Sequence, residues 1–202
     1  MQKKLAVLLS NAGTGTNLQA IIDAIAKGIL RAKISVVISD KEDAIGLNRA
    51  KKHKIPTRVL QPKEELVTLL EKTYPVNYIV LTGWKKIIPE EMINAFPNKI
   101  INIHPGLIPD AIDAIVLNPD KTEGLWNKGK FTDKAIKNFL DRKATYAGSS
   151  VHFLTNEFDF GPVVGRCWEK IRSGDTVDTL YSRVKKKENE MYVEALIKLT
   201  SP

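Results

Sequence analysis

Over its first hundred residues the chain alternates short apolar runs with helical stripes, and nothing else in it restricts the fold as much. The runs are Leu5 to Leu9, Ile34 to Ile38, Thr57 to Leu60, Tyr78 to Thr82 and the isoleucine-rich stretch from Ile100. Between them lie a stripe of Leu18, Ile21, Ile22 and Ile25, a basic-faced segment from Ala44 to Lys54, and Glu64 to Thr73. Pro89-Glu90-Glu91 then opens a further helix with proline and acids in its first turn. Apolar strands that alternate with helices of this length predict an α/β fold with a doubly wound, mostly parallel sheet. Such sheets take ligands outside the carboxyl ends of their strands. The loops at Ser10–Asn17, Gly83–Ile88 and Asn102–Pro109 are expected at that edge.

After Pro109 the alternation stops. Residues Asp110 to Lys130 are polar and rich in turn residues, and Thr132 to Leu140 reads as a helix. A connection of this length inside a compact domain is usually functional or mobile. The region of about 110–141 is therefore read as a lid-like insertion in a single domain spanning 1–202. Thr145 to Leu154 and Val163 to Ile171 are two further strands joined by a short loop, which predicts an antiparallel pair. A long C-terminal helix runs from about Thr176 to Leu199, with Asp175 or Ser173 as its cap and a stripe of Val177, Leu180, Val184, Met191 and Leu196.

Composition narrows the partners. The 202 residues carry 31 Lys and Arg against 23 Asp and Glu, a net charge of +8. The basic residues are scattered rather than interleaved with aromatics, which points to small anionic ligands and away from nucleic acid. No apolar run reaches the length of a membrane span, and Leu5 to Leu9 is too short for a leader's apolar core. The single cysteine, Cys167, excludes an internal disulfide and fits a reducing cytoplasm. No His/Cys group has zinc spacing, so no metal is expected.

Three stretches carry candidate chemistry. Asn102 and His104 share one face of a strand because side chains alternate, and Pro105 and Pro109 end the ladder. An amide and an imidazole there are either a hydrogen-bonded strand end or a site that stabilises negative charge on a carbonyl oxygen. Gly13, Thr14, Gly15, Thr16 and Asn17 lie between the first strand and a helix. That arrangement aims N–H groups at an anion; the plain alternative is a βα turn capped by Thr16 or Asn17. The loop is neither a dinucleotide fingerprint nor a Walker loop, because Leu18 replaces the third glycine and no Gly-Lys-Ser/Thr follows. Asp40, at the end of the second strand, keeps a nucleotide-binding module as the alternative. Asp159, flanked by Phe158 and Phe160, is either a turn residue before Gly161-Pro162 or a desolvated carboxylate that holds the imidazole and shuttles a proton. With no Ser or Cys nucleophile at an elbow, the set implies direct acyl or formyl transfer between two bound substrates.

These residues resemble a known family. Asn102-Ile103-His104-Pro105, followed by Leu107-Ile108-Pro109, is similar to the first signature of the folate-dependent formyltransferases. Gly148, Ser150-Val151-His152-Phe153 and Asp159-Phe160-Gly161-Pro162 are similar to the second. Gly13-Thr14-Gly15-Thr16-Asn17-Leu18-Gln19-Ala20 resembles the phosphate loop of the branch that formylates a phosphorylated glycinamide ribonucleotide. The resemblance implies a Rossmann-like formyltransferase fold with antiparallel C-terminal strands. It implies a purine-biosynthesis reaction in which 10-formyltetrahydrofolate is the co-substrate and the amine of phosphoribosylglycinamide attacks its formyl carbon. Asn102 and His104 would steady the oxyanion, and Asp159 would orient His104 and relay protons. Gly13 to Asn17 would hold the phosphate, with Lys185 and Glu188 reaching phosphate and ribose; that pair otherwise reads as a solvated helix face. Folate would lie against Trp84, Lys85, Lys86, Ile87 and Ile88 and against Leu154, Thr155, Asn156 and Glu157. His152 is a supporting residue near the folate or a satisfied strand histidine. The same resemblance leaves methionyl-tRNA or an amino sugar as alternative acceptors, and a monomer or homodimer in the cytoplasm. The chain departs from the pattern in the extra Asn11-Ala12, in Gly106 where serine is common, in Lys86 where arginine is common, and in the long connection after Pro109.

Overall fold

The structure is a computed structural model that describes residues 2–10, 14–61 and 65–201. Seven strands form one sheet in the order β3-β2-β1-β4-β5-β6-β7. They are β1 (Lys3–Leu9), β2 (Ala32–Ser39), β3 (Thr57–Val59), β4 (Tyr78–Leu81), β5 (Ile100–His104), β6 (Tyr146–Phe153) and β7 (Val163–Lys170). β1 runs parallel to β2 and β4, β2 to β3 and β4 to β5, whereas β6 and β7 are antiparallel. This is the expected doubly wound sheet with an antiparallel C-terminal pair. Among the described residues the α-helices are α1 (Thr16–Ala26), α2 (Ile45–Lys52), α3 (Leu66–Thr68), α4 (Glu90–Ala95), α5 (Thr132–Asp141) and α6 (Val177–Thr200). The chain divides into two compact units, Met1–Asn102 with Leu196–Pro202, and Ile103–Ala195.

In the first unit β1 is the central strand. Leu5, Ala6, Val7 and Leu8 are all fully buried, which explains why its sequence is continuously apolar rather than alternating. α1 buries Leu18, Ile21 and Ile22, and α2 buries Leu47 and Ala50. Gly46 lets α2 approach β1 closely, because a Cβ there would stand 2.3 Å from the Leu9 side chain. Two expectations are corrected. α1 has Gly15 at its N-cap in the left-handed conformation, φ 68°, and no side chain caps it; Thr16 and Asn17 lie inside the helix. The expected Glu64–Thr73 helix is one α-turn, α3, running into a π-helical turn at Leu69–Thr73. Tyr74 N–H closes that wider turn on the Leu69 carbonyl at 3.0 Å, and both Leu69 and Leu70 are buried.

In the second unit α5 and α6 share a core. Ile136 and Phe139 from α5 pack with Leu180 and Val184 from α6 and Ala147 from β6. Each of the four larger side chains contributes about 1.5–3 kcal/mol by leaving water. α6 begins with a reciprocal cap. The Thr176 hydroxyl accepts from Thr179 N–H at 3.3 Å, and the Thr179 hydroxyl accepts from Thr176 N–H at 2.9 Å. Thr176 is thus the cap, in place of Asp175 or Ser173. The Asp175 carboxylate instead takes a bidentate pair from Arg183, at 2.8 and 2.6 Å, and is held well below the usual carboxylate range. The 110–130 segment carries an isolated bridge between Leu117 and Glu123 and returns through Leu107 N–H, which donates to the Leu125 carbonyl at 2.9 Å.

Candidate active site

β5 delivers its polar pair as its sequence dictates. Ile100 and Ile101 are buried, Asn102 is half-buried, and His104 is 2% exposed at the strand end. Both nitrogens of the His104 ring face acceptors. Nε2 lies 2.7 Å from the Trp126 backbone carbonyl, and Nδ1 lies 3.6 Å from Asp159 Oδ1. Burial lowers the His104 pKa below its ordinary 6.5, against the opposing pull of Asp159, the Trp126 carbonyl and Glu188. The other carboxylate oxygen, Oδ2, accepts from Gly129 N–H at 2.7 Å, and the Trp126 indole N–H donates to the Asp159 backbone carbonyl at 2.9 Å. Asp159 itself adopts the left-handed conformation, φ 50°, which few residues but Asp and Asn tolerate. Phe158 stands exposed, whereas Phe160 packs against Trp126 with ring centroids 5.8 Å apart. At 3.6 Å the carboxylate lies just beyond hydrogen-bond reach of the imidazole and close enough to favour its charged form.

A second cluster lies on α6 and β6. Glu188 is buried, accepts from the Ser149 hydroxyl at 2.7 Å, and pairs with Lys185 at 2.9 Å. The solvated-face reading of Lys185 and Glu188 is therefore overturned: the carboxylate is in the interior, oriented by a strand hydroxyl. His152 is fully buried, with its ring edge-on to His104 at 6.4 Å. Burial, then the neighbouring His104, push its pKa down to about 3. Cys167 is buried, and its thiol is pushed up to about 12, so it is an unreactive packing residue.

In the first unit, Gly13 lies outside the described residues. Thr14 and Gly15 are braced from α2: Arg49 Nε donates to the Thr14 carbonyl at 2.8 Å, and a Cβ on Gly15 would stand 3.2 Å from the Gly46 backbone. The Thr16 hydroxyl and Asn17 Oδ1 are buried with no hydrogen-bond partner among the described residues. Ser10 ties down the next loop by donating its N–H to the Gly83 carbonyl and accepting from Lys85 N–H through its hydroxyl. Beyond it Trp84 is half-buried, Lys85 and Lys86 are exposed, Ile88 is buried, and Ile87 is 83% exposed. The Asp40 side chain is largely buried, and its Oδ2 lies 3.9 Å from Lys86 Nζ.

The 154–157 loop is partly exposed. Thr155 donates to the Phe160 carbonyl at 2.8 Å and Glu157 pairs with Lys128 at 2.7 Å. Sequence reasoning missed Trp126, Gly129, Ser149 and Arg49. Trp126 carried a signal, as the one large aromatic within a polar turn-rich stretch. Arg49 carried one too, in the basic face of α2.

A doubly wound α/β sheet whose fifth strand ends in an imidazole, with a carboxylate returned to it from a later loop, defines an α/β domain with an imidazole–carboxylate pair at a strand's carboxyl end. The formyl transferase family model matches residues 3–196. The chain belongs to the formyl transferase family. It is 34% identical over 94% of its length to the phosphoribosylglycinamide formyltransferase of Haemophilus influenzae, covering 84% of that protein. It is 31% identical over 96% of its length to the chloroplastic phosphoribosylglycinamide formyltransferase of Arabidopsis thaliana, of which it spans 64%. Among solved structures, the glycinamide ribonucleotide transformylase 1 of Symbiobacterium toebii superposes with a TM-score of 0.82 at 31% identity, over 98% of this chain and 88% of that one.

Proposed function

We propose that this chain transfers the formyl group of 10-formyltetrahydrofolate to the amine of phosphoribosylglycinamide, a step of purine biosynthesis. The observation that carries the reading is the His104 Nδ1–Asp159 approach of 3.6 Å at the end of the strand that also bears Asn102. The amine nitrogen attacks the formyl carbon, and the carbonyl oxygen takes the negative charge. Asn102 and His104 steady that oxyanion. The amine proton passes by way of Asp159 to the folate nitrogen as the carbon–nitrogen bond to folate breaks, leaving tetrahydrofolate and the formylated acceptor. The relatives at 31–34% identity carry that acceptor in their names.

Gly13 to Asn17 hold the acceptor's phosphate. The buried Thr16 hydroxyl and Asn17 amide oxygen at the start of α1, without a hydrogen-bond partner among the described residues, support this, because they sit where a helix N-terminus favours an anion. Glu188, held by Ser149 and Lys185, is set to accept from ribose hydroxyls. The exposed Ile87 and the neighbouring Trp84, Lys85, Lys86 and Ile88 receive folate, together with Leu154 to Glu157, and His152 packs behind His104. Within a single domain, the insertion of about 110–141 acts as a lid over the reacting groups. A cytoplasmic monomer or homodimer completes the reading.

The test is direct. Purified protein is mixed with 10-formyltetrahydrofolate and phosphoribosylglycinamide, and deformylation of the folate is followed by absorbance. Acceptor-dependent turnover is expected, with loss of most of it in His104→Ala and Asp159→Asn at unchanged far-UV circular dichroism. Turnover only with methionyl-tRNA or an amino sugar, or none with any acceptor, would refute the proposal.

A further inference from the structure

The least expected contact in the second unit is the one between His104 and a backbone carbonyl from a segment 22 residues later. A carbonyl oxygen only accepts, so the 2.7 Å approach of Trp126 O requires a proton on Nε2. In the neutral imidazole the other nitrogen then carries the lone pair. We infer that Trp126 is a positioning residue of the His104–Asp159 pair: its carbonyl fixes the Nε2–H tautomer, its indole holds the Asp159 backbone, and Nδ1 is the nitrogen left to the reaction. This rests on the formyl-transfer reading for its catalytic meaning, though not for its geometry.

Several independent contacts hold Trp126 in this place. Leu107 N–H donates to the Leu125 carbonyl at 2.9 Å on one side of it. On the other, the Asn127 amide donates to the Pro105 carbonyl at 3.0 Å and accepts from Asn138 of α5 at 2.7 Å. The segment is thus pinned to the residues that flank His104 in the chain. Gly106 makes the approach possible, because a Cβ there would lie 1.8 Å from Trp126 O. The same side chain reaches Asp159 through the indole N–H at 2.9 Å, and Gly129, three residues on, donates its N–H to the carboxylate at 2.7 Å. One short segment therefore orients both members of the pair. Asp159 needs that hold, since it sits in the left-handed region. The amine proton, passed by Asp159 to Nδ1, converts the ring to imidazolium, whose Nδ1–H donates to the oxyanion while Nε2–H stays on the carbonyl. The charge is then offset by the carboxylate 3.6 Å away, and release of the same proton restores the starting tautomer.

The experiment reads tautomer and turnover separately. Histidine-labelled protein is examined by long-range proton–nitrogen NMR, which distinguishes the two neutral tautomers for each of the three histidines. Wild type is expected to show His104 with a protonated Nε2 and a lone pair on Nδ1. Gly106→Ala pushes the carbonyl away and is expected to give a mixture of tautomers, with kcat down tenfold or more and KM for both substrates within twofold. Trp126→Phe keeps the backbone carbonyl and removes only the indole donor. It is expected to keep the Nε2–H tautomer while lowering kcat severalfold at unchanged KM and shifting the pH profile of kcat. If Gly106→Ala does not fold, wild-type NMR and Trp126→Phe decide the matter. An Nδ1–H tautomer in wild type, or wild-type kcat and pH profile in Trp126→Phe, overturns the inference. Absence of any formyl transfer by wild type would refute the proposed function instead, and the tautomer measurement would still stand or fall by itself.

Discussion

Acid should unfold this protein through a histidine as well as through its carboxylates. His152 lies fully buried on β6, and the charged form of its ring is opposed first by burial and second by His104, 6.4 Å away. A backbone hydrogen bond with Phe153 works the other way and is outweighed. The folded-state pKa is about 3, against 6.5 for the free side chain. In the unfolded chain the ring takes up a proton as the pH falls below 6.5; in the folded chain it does not until about 3. Stability from this group is therefore full above 6.5 and is lost as pH falls through that window. The slope is about 1.4 kcal/mol per pH unit, so moving from pH 7 to about pH 4.5 costs about 2.5 kcal/mol. That is a large share of a typical total of about 5–15 kcal/mol. The assay is urea unfolding followed by tryptophan fluorescence at several pH values, for wild type and His152→Gln. His104 and the carboxylates titrate in both proteins, so the difference in pH dependence isolates His152. The variant is expected to lose about 2.5 kcal/mol less than wild type over this range. Parallel pH dependence in the two proteins would refute the assignment.

Two further expectations concern packing and polar burial. Phe139→Ala empties the centre of the α5–α6 core and should lower stability by about 3–5 kcal/mol in urea unfolding. Ser149→Ala removes a donor from the buried Glu188 carboxylate and should cost about 1–3 kcal/mol. It should also raise KM for phosphoribosylglycinamide more than KM for the folate, measured by initial rates.

The sheet was legible in the sequence because its strands are short, apolar and separated by helical stripes; burial on both faces leaves β1 no alternation to misread. The Asn102–His104 pair was legible because a strand's alternation places both on one side. The matching of His104 with Asp159 rests on the motif resemblance and on the aromatic flanks of Asp159, since no local periodicity links residues so far apart. Trp126 stands out only as a lone large aromatic in a polar stretch; its role runs through a backbone carbonyl, and sequence carries no mark of which carbonyl will be chosen. Glu188 reads as well as a solvated-face residue because a lysine one turn away is the pattern of an exposed ion pair, and nothing nearby in the chain announces Ser149. The α6 cap was misplaced by one residue or more because Asp, Ser and Thr all suit the position, and Arg183 claims the Asp175 carboxylate.

The left-handed backbone of Asp159 changes what can be learned by replacing it. Alanine at this site would remove the carboxylate and at the same time disfavour the φ of 50° that aims the loop, so chemistry and local shape would fail together. Asparagine tolerates that conformation, keeps an oxygen for the Gly129 N–H, and removes only the charge. Glycine accepts the φ still more readily but frees the loop. The ranking of these three variants in turnover, asparagine against glycine against alanine, therefore separates the contribution of the negative charge from that of the bend that carries it.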